Sequence, residues 1–121
     1  MPGETFTSTA AAIVAAYNAR DIAAFVAFFH ERALVYSCHN GAGIPVCRNR
    51  AELKEYFEQI FATCPDLHEE VLQTIGTCGN VVTHSVEVTG REQGKTIKAT
   101  IVYEFDTSFK VTSIIIHRAK S

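Results

Sequence analysis

His84 lies in the middle of Val81-Val82-Thr83-His84-Ser85-Val86-Glu87-Val88-Thr89, a run that alternates with the period of two of a β-strand. Val82, His84, Val86 and Val88 share one face, and Thr83, Ser85, Glu87 and Thr89 share the other. The first face reads as core, so the one imidazole in this segment points inward. A buried imidazole is either a hydrogen-bonded core residue or a working acid–base group in a cavity. Imidazole is also the only side chain here whose ordinary pKa lies near neutral pH, which is what general-base catalysis asks for. Tyr103 stands on the inward face of a second strand with Ile97, Ala99, Ile101 and Phe105. His84 as base with a tyrosine as donor is a pair able to enolise a carbonyl or direct a water.

The other titratable and nucleophilic residues form weaker patterns. The five histidines show no His-x-x-x-His or similar spacing, so no metal site is expected. His39 sits in the glycine-rich loop His39-Asn40-Gly41-Ala42-Gly43, His30 follows an aromatic helix whose dipole it would complement, and His117 falls at an edge or a dimer face. Cys38, Cys47, Cys64 and Cys78 contain no Cys-x-x-Cys unit and read as four small thiols. Cys38 and Cys47 flank the glycine loop, which leaves a disulfide there as the second reading. Ser37 has no acid and histidine at the spacing of a hydrolase triad.

These residues are positioned by an order of elements that is readable along the chain. Ser8 is placed as the cap of a first helix carrying Ile13, Val14 and Tyr17 on one side. Asp21 caps a second, with Ile22, Phe25, Val26, Phe28 and Phe29 as a broad aromatic face. A short strand, Leu34 to Ser37, precedes the glycine loop and a second extended piece, Ile44 to Cys47. Asn49 followed by Glu52 opens a third helix, in which Leu53, Tyr56, Phe57, Ile60 and Phe61 recur at helical spacing up to Pro65. The remainder reads as strands over Leu67–Gly76, Val81–Thr89, Thr96–Phe105 and Phe109–Arg118. Three N-terminal helices followed by a meander of strands predict an α+β domain, an antiparallel sheet with helices on one face. Ile114, Ile115 and Ile116 are apolar on both faces of the last strand, so the outer face of the sheet needs a cover. A homodimer through that face is expected.

Size and composition set the remaining bounds. The 121 residues read as one domain, 1–121, with residues 1–7 as a flexible N-terminus. A net charge of −2 without clustered Lys or Arg argues against nucleic acid. No apolar run approaches the ~20 residues that cross a bilayer, so no membrane partner is expected. Met1 to Thr9 lacks the basic start and apolar stretch of a signal peptide, and the expected location is the cytoplasm.

In its order of segments the chain resembles the nuclear transport factor 2-like superfamily, specifically the SnoaL-like branch. The resemblance rests on Tyr17-Asn18-Ala19-Arg20-Asp21-Ile22, Ala33-Leu34-Val35, Arg48-Asn49-Arg50-Ala51-Glu52-Leu53, Pro65-Asp66-Leu67-His68 and Val86-Glu87-Val88-Thr89-Gly90. It implies a cystatin-like cone, in which a curved, mostly antiparallel sheet wraps the helices around an apolar pocket, and it implies dimerisation. It does not imply one function, because the superfamily holds isomerases, dehydratases, epoxide hydrolases, cyclases and binding domains. The ketosteroid isomerases of this superfamily pair an aspartate base with a tyrosine and a protonated aspartate. Tyr17 matches their donor tyrosine, while their base falls on Ser37 and their acidic donor on Ile101, so that chemistry is not expected.

Alternation and the resemblance together place Tyr17, Ser37, His84 and Tyr103 on the pocket, with Tyr56 beside them. They give His84, Tyr17 and Tyr103 as the catalytic candidates. Phe25, Phe29, Ser37, His39, Phe57, Val86, Ile101, Ile114 and Ile116 are the expected ligand-binding residues. The first reading is a domain that binds a small, largely hydrophobic molecule, without cofactor or metal. The second is a cofactor-independent isomerase, cyclase, dehydratase or hydratase using His84 and a tyrosine. The third is a non-catalytic interaction domain, which a cavity below ~100 Å³ would favour, since ligand sites run to ~300 Å³ or more.

Overall fold

A computed structural model describes residues 5–39 and 42–119, with every side chain in those ranges except at 39, 42 and 76–78. The elements in chain order are α1 (Phe6–Asn18), α2 (Ile22–Ala27), β1 (Phe29–His39), β2 (Ala42–Cys47), α3 (Arg50–Thr63), β3 (His68–Cys78), β4 (Val81–Thr89), β5 (Thr96–Phe105) and β6 (Val111–Arg118). The architecture is α+β, as the pattern of elements predicts: three helices against one curved sheet of six strands.

Each helix starts where a side chain can take up its free amides. Thr5 caps α1, and Ser8 at the third helical position returns the bond to the Thr5 amide, closing a capping box. Ser8 is therefore the second half of the box rather than the cap, and α1 starts at Phe6, so residues 5–7 belong to the helix and its cap. Asp21 caps α2 and Asn49 caps α3, as their positions predict. The Glu52 carboxylate reaches past the cap to accept from the Arg48 amide.

α2 is shorter than its apolar run. It ends at Ala27, and Phe29 already belongs to β1, paired with Val111. The reason is tertiary: the Phe28 carbonyl accepts from the Val111 amide at 2.8 Å, which commits the backbone to a strand. His30 is consequently an exposed strand residue rather than a helix C-terminus, and its Nδ1 accepts from the Arg32 amide at 3.0 Å.

The strand order is β2-β1-β6-β5-β4-β3. All neighbours are antiparallel except β1 and β6, which run parallel and join the two halves of the sheet. α1 packs over β3 and β4, and α3 packs over β1 and β2. Register shifts at Val71/Gln73 and Ile75/Thr77 bend β3. The hairpin register pairs Cys38 with Gly43 and Cys47 with Val35, so the two thiols do not oppose each other, and both are free. The Cys78 side chain and residues 40–41 lie outside the described residues.

The β4–β5 connection is locked to the end of α3 at one glycine. Gly90 has φ +78°, and a Cβ built there would lie 2.1 Å from the Asp66 carbonyl oxygen. Gly94 shares the positive φ, at +73°, but faces open space. Gly90→Ala is expected to cost well over ~2 kcal/mol, whereas Gly94→Ala pays only the left-handed backbone term of ~1–2 kcal/mol. Urea denaturation of both variants checks the ordering.

Candidate functional site

The helices do not fill the cone. A cavity of about 190 Å³ remains between them and the sheet. The register orders its walls. Glu69, Val88 and Ile97 form one row across β3, β4 and β5, followed by Ala99 with Arg118, then Ile101 with Ile116 and Ser37, then Tyr103 with Ile114 and Val35. The helices close the other side with Ile13, Val14, Tyr17, Phe25, Tyr56, Phe57 and Ile60. Arg91 and Glu92, from the β4–β5 loop, join the end marked by Arg118 and Glu69. The cavity is thus apolar along most of its length and charged at one end. Among the described residues no three His, Cys, Asp or Glu side chains gather in a way that would hold a metal ion.

Most of the expected pocket residues meet here: Tyr17, Phe25, Ser37, Tyr56, Phe57, Ile101, Tyr103, Ile114 and Ile116 all line the cavity. The aromatic rings pack against one another, with Tyr17 5.5 Å from Phe61 and Phe25 4.8 Å from Phe57. Phe29 and Val86 are core residues away from the cavity. The His39 side chain lies outside the described residues.

His84 is inward and buried, at 1% exposure, yet it is not part of the cavity wall. α1 lies over β3 and β4, so on β4 only Val88 remains open to the cavity. His84 instead sets its ring edge-on against Tyr103, with centroids 5.2 Å apart. Its Nδ1 is buried without a hydrogen-bond partner among the described residues, and burial lowers its pKa.

Glu69, which is not among the residues expected from the sequence, does line the cavity. Leu67, Glu69 and Val71 alternate into the interior while His68 and Glu70 face out. Glu69 is 6% exposed, lines the cavity, and leaves Oε2 buried without a partner among the described residues. Burial raises its pKa to about 7. Two phenols share its field. Tyr17 is raised by burial first and by the Glu69 charge second, and Tyr103 by burial, then Glu69, then Tyr17. At neutral pH both remain protonated donors beside a carboxyl group poised between acid and base.

The two buried groups push stability in opposite directions with pH. Glu69 binds a proton more tightly folded than unfolded, so stability falls as pH rises from about 4.5 to 7, by about 3 kcal/mol in full. His84 binds a proton less tightly folded, so stability falls as pH drops below its ordinary value of 6.5. Chemical denaturation from about pH 5 to pH 8 is expected to show that Glu69→Gln removes the alkaline loss and His84→Phe the acid one.

The SnoaL-like domain family matches residues 10–114 of the chain. An uncharacterised cystatin-fold protein from Novosphingobium aromaticivorans superposes with a TM-score of 0.82 at 23% identity, covering 94% of this chain and 98% of its own. A SnoaL-like protein of unknown function from Burkholderia thailandensis gives 0.77 at 18% identity, covering 99% and 100%. A protein described as a putative ketosteroid isomerase, from Kribbella flavida, gives 0.77 at 15% identity, covering 96% and 78%. No curated protein matches the sequence. No helix among the described residues is long and apolar enough to cross a membrane. With most of its length inside the family match and the cone around its cavity, the chain belongs to the SnoaL-like domain family.

Proposed function

We propose that this domain binds a small, largely apolar molecule in the cone and exchanges a proton with it through Glu69. The observation that carries this reading is the Glu69 carboxyl group, buried in the wall of a mostly apolar cavity, with one oxygen unpartnered among the described residues. A carboxyl group without hydrogen bonds is costly to bury, and a ligand that accepts or donates at that oxygen offsets the cost. The cavity is somewhat larger than the ~150 Å³ space that accepts benzene and smaller than the ~300 Å³ of larger ligand sites. A ligand of one ring or a short branched chain fits that size.

The reaction this supports is proton abstraction or return next to a carbonyl, without cofactor. Glu69 is the base in its ionised form, and Tyr17 and Tyr103 donate hydrogen bonds to the developing oxyanion. His84 has a structural role as the edge partner of Tyr103 in this scheme. Deuterium incorporation into a panel of small cyclic ketones, followed by NMR in D₂O, tests it. Glu69→Gln is expected to slow exchange by at least ~10²-fold and His84→Gln to leave it within a few-fold. Exchange that survives Glu69→Gln would remove Glu69 from the chemistry.

We further propose that two copies associate through the outer sheet face, in a reducing, cytoplasmic compartment suited to the free thiols. Val102, Ile115 and Tyr36 lie in one cross-strand row opposite the cavity-lining residues, and Pro45 extends it. Ile115→Glu is expected to shift the protein from dimer to monomer in sedimentation velocity while leaving its circular dichroism unchanged.

A further inference from the structure

Charge is unevenly placed around the cavity. Its apolar end, at Tyr103, Ile114 and Phe25, carries no ionised group, whereas Arg91, Glu92 and Arg118 gather at the other. The Arg118 guanidinium donates to Glu92 at 3.0 Å, which holds the Glu92 carboxyl below its usual range. Lys95 approaches the same carboxylate from outside, at 3.7 Å. Arg91 has no carboxylate within ion-pair distance among the described residues. Two guanidiniums therefore face one paired carboxylate, and one positive charge is left over while Glu69 stays protonated.

Arg91 is also presented from a fixed platform. Gly90 is pressed against the Asp66 and Leu67 backbone, and the Cys64 thiol donates to the Arg91 carbonyl at 3.7 Å. Among the described residues of the cavity walls no other cation is available, so an anionic group placed deeper would be buried unpaired.

We infer that the ligand is a small apolar monocarboxylate, its body among Phe25, Phe57, Ile101 and Ile114 and its carboxylate outward against Arg91 and Arg118. The inference rests on the reading that the cavity holds a small apolar molecule, and it adds the class of that molecule. Arg118 already makes such a bond to a carboxylate of the chain itself, and a guanidinium offers the paired donors a carboxylate needs. The groups that face the bound carboxylate are Arg91, Arg118, Glu92, Glu69, Tyr17 and Tyr56, with Lys95 outside. Of these, Glu69 ionises near neutrality and would then repel it.

Phenylacetate and its neutral isostere phenylacetamide, titrated against the labelled protein by NMR, separate binding in the cavity from recognition of the carboxylate. The acid is expected to bind at least about tenfold more tightly than the amide at about pH 6, since a guanidinium bonds a charged acceptor more strongly than a neutral one. Arg91→Gln and Arg118→Gln should bring that ratio towards one. The preference should shrink by about pH 8 in the natural protein and hold steady in Glu69→Gln. Equal affinity for acid and amide, or a ratio untouched by either arginine, overturns the inference and leaves the cavity reading standing. If neither probe shifts cavity residues, both fall. If acid binding survives Ala99→Phe, which fills the cavity, the carboxylate sits on the surface and the inference fails.

Discussion

The Asn18 carboxamide donates to the Glu69 carbonyl at 2.9 Å and accepts from the Glu69 amide at 2.7 Å. β3 is an edge strand, so at Glu69 one N–H and one C=O turn away from the sheet. Asn18 satisfies both as another strand would, with a side chain at the last position of α1. Either group left buried and unpaired would cost about 1–3 kcal/mol. Arg20 extends the clamp: its backbone turns at φ 55°, and its guanidinium donates to the Pro65 and Leu67 carbonyls. The rest of the site follows from this junction. It fixes α1 over β3 and β4, which covers His84, and it holds Glu69 where the covering stops.

The burial of Glu69 opposes stability, and the surroundings do little to relieve it. Its pKa rises because of lost hydration, with no partner charge to offset the shift. Strained or under-satisfied polar groups of this kind persist where the rest of the fold over-determines them. Here the aromatic wall of Tyr17, Phe25, Phe57 and Phe61 supplies that rigidity from one side, and the cross-strand rows of β5 and β6 from the other. His84 has the same orphaned character at Nδ1, but it is not part of the cavity wall, and among the described residues its ring neighbour is Tyr103.

Much of this was legible in the residues. The caps at Asp21 and Asn49, the helical spacing from Leu53 to Phe61 and the strict alternation of β4 and β5 are local signals, and those two strands fall where alternation puts them, whereas β1 runs from Phe29 to His39 instead of the short Leu34–Ser37 piece. The boundary between α2 and β1 was not legible, because Val111, far along the chain, decides it. His84 shows the limit of alternation: period two tells which face a side chain takes, and says nothing about which stretch of that face a helix will cover. Glu69 was hidden for a different reason. Its neighbours His68 and Glu70 make the start of β3 look polar on both faces, and only Leu67 and Val71, two residues on either side, mark Glu69 as inward.

The parallel seam between β1 and β6 has a consequence for how the domain comes into being. Val35 and Ser37 cannot find Ile114 and Ile116 until the whole stretch between them is present, so the two halves of the sheet close late. Contacts this distant in sequence are slow to form, and the helices' apolar faces stay uncovered while they wait. On a ribosome the N-terminal half would emerge as helices and one hairpin without a sheet to receive them. The cavity is therefore among the last features to exist, assembled by the same closing step that ends the molecule's exposure to aggregation.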